Sequence, residues 1–141
     1  MGVGVDVKMY GILQRFEGQG QEVKNSDGDK DYYGKILISV KMEPEKGTDE
    51  EFDEWYRKQH LDMLSMVDGY RRSTRWKLAQ LQEEEGEPTY LALHEFDKKP
   101  GEEQMRLVVG TEWSKRILGG KRAFVRDEWE LVDCQGEGRK L

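Results

Sequence analysis

One stretch constrains this chain more than any other: Phe52 to Leu64, FDEWYRKQHLDML. Phe52, Tyr56, His60 and Leu64 recur every four residues, so an α-helix brings them to one face, with Trp55 and Met63 beside them. That stripe is apolar and aromatic except for a single imidazole. His60 therefore points where core residues point. A histidine so placed is either a structural hydrogen-bonder or the acid/base of a pocket, and any functional reading turns on which.

The 141 residues suit one domain, with 37% charged and 35% hydrophobic residues. The surface is well charged and the core lean, and a lean core in a small domain is often completed by a second subunit. Asp plus Glu outnumber Lys plus Arg by 29 to 23, a formal charge of −6, which argues against a nucleic-acid or anionic-membrane partner. The local cluster Arg71, Arg72, Arg75 and Lys77 fits a small anionic molecule at least as well as a polyanion. Cys134 is the lone cysteine, so no intrachain disulfide forms and a reducing, cytoplasmic setting is expected. No apolar run reaches the ~20 residues that cross a bilayer. The start MGVGVDV lacks a signal-peptide pattern.

Alternation of Val3, Val5, Val7 and Met9 suggests a short strand that extends through Ile12 and Leu13. Residues 17–34 are Gly-rich and polar, and residues 1–34 read as a partly flexible extension. KILISVKM (35–42) reads as a strand with Ile36, Ile38, Val40 and Met42 on one face. Thr48 with Glu51 predicts a capping box opening a helix that runs to about Val67, with Gly69 past its end. Strands follow at 70–81, where Tyr70, Thr74, Trp76 and Leu78 alternate, and at 89–96, across the acidic turn EEEGEP. A second helix opens at Pro100-Gly101, with Met105, Val109, Trp113 and Ile117 as its stripe, and ends at Gly119-Gly120. Residues 122–132 make the last strand, and 134–141 a polar tail. From residue 35 the order is β-α-β-β-α-β. This predicts an α+β, ferredoxin-like domain over 35–133: a four-stranded antiparallel sheet with two helices on one face. The bare sheet face would be buried by pairing two copies into a homodimer.

With these elements in place, EFDEWYRKQHLDMLSMVDGYRRSTRWKL resembles the dimeric α+β-barrel superfamily, and within it the EthD-like proteins. The residues that carry the resemblance are Phe52, Trp55, Tyr56, His60, Leu61, Gly69, Arg75 and Trp76, helped by the strand TYLALHEF and by TEW at 111–113. Asp68-Gly69 stands where those proteins have Pro-Gly. The likeness covers about residues 36 to 131. It implies a homodimer with a small-molecule cavity between sheet and helices. The superfamily includes cofactor-free monooxygenases, isomerases, polyketide cyclases and decarboxylases and haem-handling enzymes, so the fold does not choose the reaction.

His60 is the first candidate catalytic residue, because a neutral imidazole takes a proton near neutral pH. Tyr56, one turn earlier, could donate to a developing oxyanion. His94 is in phase with Tyr90, Ala92 and Phe96, and shares a cavity with His60 if that face looks at the helices; otherwise it lies in the dimer interface. Trp55, Met63, Leu64, Arg75, Trp76, Tyr90 and Trp113 are candidate substrate-binding residues. Arg75 and Trp76 point to opposite faces, so only one can line the cavity; Arg75 would anchor a carboxylate or enolate. Trp129 reads with Trp55 and Trp113 as core or cavity wall. No cofactor and no metal are expected: two histidines form no closed site, and Asp27, Asp29 and Asp31 lack the glycine and closing glutamate of a calcium loop. Haem ligation by His60 or His94 is the lesser alternative. The expected activity is a cofactor-independent lyase, isomerase or cyclase working by His-based proton transfer on an aromatic or polyketide-derived molecule. A cofactor-free monooxygenase and a non-catalytic ligand-binding dimer are its rivals.

Overall fold

The structure is a computed structural model and describes residues 8–18, 34–79 and 87–132. The expectations for Val3–Val7, the Asp27–Asp31 cluster, the acidic turn up to Gly86 and Cys134 lie outside the described residues. Strand β1 spans Tyr10–Glu17 and β2 spans Ile36–Glu43. Helix α1 begins as Asp49–Trp55, passes through one π-helical turn at Tyr56–His60, and finishes as Leu61–Leu64. Strands β3 (Tyr70–Leu78) and β4 (Tyr90–Phe96) follow, then α2 (Glu102–Val108), α3 (Glu112–Gly119) and β5 (Ala123–Glu130). Among these residues no helix is long and apolar enough to cross a membrane.

The fold is α+β, but the sheet has five strands rather than the four expected, in the order β1-β3-β4-β2-β5, with every neighbouring pair antiparallel. The additional strand is β1. It pairs along β3, covering an edge that would otherwise offer unpaired backbone groups. Its register slips between Ile12 and Gln14, which sets Gln14 opposite Arg75.

The sheet turns Ile38, Met42, Ala92 and Phe96 toward the helices, where they meet Phe52, Trp55, Tyr56, Leu61 and Leu64 of α1. The β2 stripe is thus the one its alternation indicated. Strand β3 is different. A register shift between Tyr70 and Arg72 changes the phase, so Ser73 and Arg75 face inward opposite His94 and Ala92, while Thr74 and Trp76 are only half-buried.

Helix α1 starts at the expected point, yet Thr48 does not cap it. Its hydroxyl donates back to the Glu45 carbonyl at 2.7 Å, and Glu51 instead accepts from Trp113 and Arg116. Three acidic residues in the first turn still complement the helix dipole. On the outer face the Asp53–Arg57 and Glu54–Lys58 pairs form as spaced. Gly69 closes the segment at φ +89, a backbone that favours glycine.

The single second helix expected from Pro100 to Gly119 is two. Thr111 adopts an extended backbone and its Oγ accepts the Ser114 amide, so α3 starts afresh with a side-chain cap. This break carries Trp113 out of phase with Val109. Replacing Thr111 with Ala removes that cap and the 2.7 Å hydrogen bond to Gln59. The expected cost is about 1 kcal/mol of unfolding free energy in urea melts, and an unchanged midpoint would show that the break does not depend on the cap.

Candidate functional site

The π-helical turn is what assembles the site. In a regular α-helix residues five apart point about 140° away from each other. Here the Leu61 amide bonds the Tyr56 carbonyl, a five-residue step, and the widened turn brings His60 under Trp55. The two rings stack with centroids 4.2 Å apart and planes 20° from parallel. Tyr56 meets the same imidazole edge-on at 5.2 Å. His60 is 8% exposed, and its Nδ1 has no hydrogen-bond partner among the described residues.

His94 reaches the same space from β4. Strand pairing sets it opposite Ser73, whose Oγ lies 2.7 Å from His94 Nδ1; the Tyr70 hydroxyl lies 2.8 Å from the other side of that Oγ. Ser73 and Tyr70 thereby fix the ring of His94 in a buried chain.

Both histidines open onto one cavity of about 140 Å³ between the sheet and the helices. Trp55, Tyr56 and Leu64 line it as well, so five of the residues singled out by sequence converge there. The rest of the wall is mainly apolar, with Met42 and Phe96 from the sheet and Met105, Val109 and Leu118 from the helical layer. Arg126 of β5 also lines it.

The other five candidates lie elsewhere. Arg75 is buried, but its guanidinium is committed to Asp53 (2.8 Å) and Gln14 (2.9 Å) and rests 4.2 Å from the Tyr56 ring centroid. With Tyr90 it lines a tight crevice that leaves no room for water. Tyr90 bonds Asp49 at 2.6 Å. Trp76 donates to Thr74, and Trp113 donates to Glu51 beside the salt-bridging Arg116. Met63 packs on the core without lining the cavity. Trp129, expected in the core or cavity wall, is 57% exposed on β5 and donates to Ser39.

Electrostatics keep the site uncharged apart from its rim. Burial, with His94 and Arg75 adding to it, pushes the His60 pKa down to about 3. Burial, then Arg126 and Arg75, pushes that of His94 down to about 4. Burial raises Tyr56 to about 12, partly opposed by Arg75, so its phenol keeps its proton. At neutral pH the cavity therefore presents two neutral imidazoles and one neutral phenol. Among the described residues no group of three or more His, Cys, Asp or Glu is placed to hold a metal ion.

Comparison with known proteins places the fold and no more. A solved structure of a major regulator of staphylococcal pathogenesis superposes with a TM-score of 0.55 at 7% identity, over 94% of this chain and 73% of that one. No protein-family model matches the chain, and no curated protein matches it. At 7% identity the likeness shows shared architecture alone.

Arg126 is the functional candidate that sequence reasoning passed over. Its signal was available: Phe124 and Arg126 are in phase on a strand, and both line the cavity. Ile38, Val40 and Met42 were recognised as one face of β2, though not as a cavity wall.

Proposed function

We propose that the protein is a cofactor-independent lyase, isomerase or cyclase of the EthD-like type that moves a proton on an aromatic small molecule. The observation that carries this reading is the meeting of His60, His94 and Tyr56 in one apolar cavity. His60 would take a proton from a C–H bond next to a carbonyl. The electron pair moves to that oxygen, which accepts a hydrogen bond from Tyr56, and the proton is then returned to another carbon. A dry pocket suits this because a developing enolate is stabilised most by donors already in position. An imidazole of low basicity is a poor acceptor in the empty site, so the developing negative charge must raise its affinity for the proton. Ser73 and Tyr70 would hold His94 in the orientation that lets it share the task.

The strand order β3-β4-β2-β5 is the split βαβ order of ferredoxin-like folds, which supports the family reading. Exposed Val125 and Trp129, on the β5 face away from the cavity, support a homodimer in which a second copy would cover them.

Deuterium exchange tests the chemistry. In D₂O the protein should catalyse loss of the enolisable C–H signal from at least one of a panel of aromatic ketones and 1,3-dicarbonyl phenols, followed by proton NMR. His60→Gln should slow that exchange at least ~100-fold while leaving the melting curve cooperative. Exchange undiminished in the variant, or no exchange across the panel, removes the proton-transfer reading. The low basicity of both imidazoles favours one rival, a non-catalytic small-ligand binder, which would take up panel members without exchanging them.

A further inference from the structure

The cavity carries a second message, in its size and in the sign of its charge. Its volume is about 140 Å³. An engineered apolar cavity of about 150 Å³ holds one benzene molecule, so this space takes one aromatic ring, with its mouth at the exposed side chains of Val109, Phe124 and Arg126. Among the described residues the polar groups on its wall are His60, His94, Tyr56 and Arg126, and no carboxylate lines it. In a chain of formal charge −6 that is a local reversal of sign. Among the described residues Arg126 has one long ion pair, to Glu128 at 3.7 Å, and it keeps 41% of its side chain exposed, so its guanidinium can still meet a ligand. His60 Nδ1 is buried without a hydrogen-bond partner among the described residues, on a ring that lines the same space.

We propose that the cavity is the binding site of a single-ring aromatic acid, its ring among the apolar side chains and its anionic oxygen group held by Arg126. This rests on the pocket described under the proposed function, but not on the proton chemistry assigned to it. It also narrows that reading: one ring fills the space, and any further ring would stand outside it. A bound anion would draw the pKa of both imidazoles upward, which is the change the proton transfer needs.

Benzoate is the probe. Titrated against the full chain, it should bind saturably by calorimetry and shift the imidazole NMR signals of both His60 and His94. 1-Naphthoate should bind at least ~10-fold more weakly, because a second ring overpacks the space. Toluene, which has the ring without the charge, should also bind more weakly than benzoate. Arg126→Gln should weaken benzoate by up to ~5-fold, the scale of a half-exposed ion pair. Val109→Trp should abolish binding by filling the cavity, from a position exposed enough to tolerate it. Naphthoate binding as tightly as benzoate, benzoate indifferent to Arg126→Gln, or no benzoate binding at all would overturn the proposal. Benzoate binding with no panel member exchanging deuterium leaves this inference standing and removes the proton transfer. Exchange confined to multi-ring substrates does the reverse.

Discussion

Acidification from pH 7 to pH 5 should remove about 4 kcal/mol of folding stability, a large share of the roughly 5–15 kcal/mol that holds a domain together. The source is the pair of buried imidazoles. His60 and His94 are 8% and 4% exposed, and burial first, then the neighbouring positive charges, depresses their pKa values to about 3 and about 4. In the unfolded chain both return to about 6.5. Above that value neither state binds the protons and the histidines leave stability alone. Below it the unfolded chain takes up two protons that the fold refuses, so stability falls at up to ~1.4 kcal/mol per pH unit for each group. Asp53 acts lower: burial raises its pKa, but hydrogen bonds from Arg57 and Arg75 outweigh that, so its contribution is present above the ordinary carboxylate pKa and is lost as pH falls from there through its depressed value. The interval from pH 5 to 6.5 thus isolates the histidines. Urea melts at pH 7.5, 6 and 5 should show the midpoint dropping steadily, and a His60→Gln/His94→Gln double variant should flatten the dependence. Equal stability at pH 5 and pH 7.5 in the native chain would mean that the rings are not held neutral in the fold.

What made these histidines readable was spacing, and what hid their neighbours was irregular backbone. The recurrence of Phe52, Tyr56, His60 and Leu64 is a direct consequence of helical geometry, and all four are buried as it requires. His94 shares the helix-facing side of β4 with Ala92 and Phe96, which period two also indicates. The π-helical turn could not be seen this way, since its one-residue insertion follows from packing and leaves the four-residue spacing of the stripe intact. The same is true of β3, where a register shift places a charged and a hydroxyl side chain inward against the alternation of Tyr70, Thr74 and Trp76. Trp113 and Trp129 show the limit of residue type as a guide. One was carried out of phase by the cap at Thr111, and the other sits on the exposed strand β5, where no layer covers it. A strand through Ile12 and Leu13 is legible in the sequence, but its place in the sheet is not, because Tyr10–Glu17 is mixed in character and marks no face to pack.

Arg75 and Asp53 should respond unequally to mutation, although they form one ion pair. Arg75 is 2% exposed, whereas the Asp53 side chain is 39% exposed and also accepts from Arg57 at 2.7 Å. Replacing Asp53 with Ala leaves a buried guanidinium with Gln14 and the face of Tyr56 as its remaining partners, and its Nη2 already lacks a hydrogen-bond partner. An uncompensated buried charge of this kind costs about 3 kcal/mol. Replacing Arg75 with Met removes the charge, keeps much of the volume against Tyr56, and returns Asp53 to its half-exposed pair with Arg57, so the expected cost is below ~1 kcal/mol. In the double variant the penalty of Asp53→Ala should largely disappear, because there is no longer a charge to strand; the cycle therefore gives a coupling of about 2 kcal/mol or more. A loss on Arg75→Met as large as that on Asp53→Ala would show that the guanidinium is valued for its packing and hydrogen bonds. The same variants separate structure from chemistry. Arg75 does not line the cavity, so Arg75→Met should leave benzoate binding within about twofold of the native chain, its charge acting only through the Tyr56 ring.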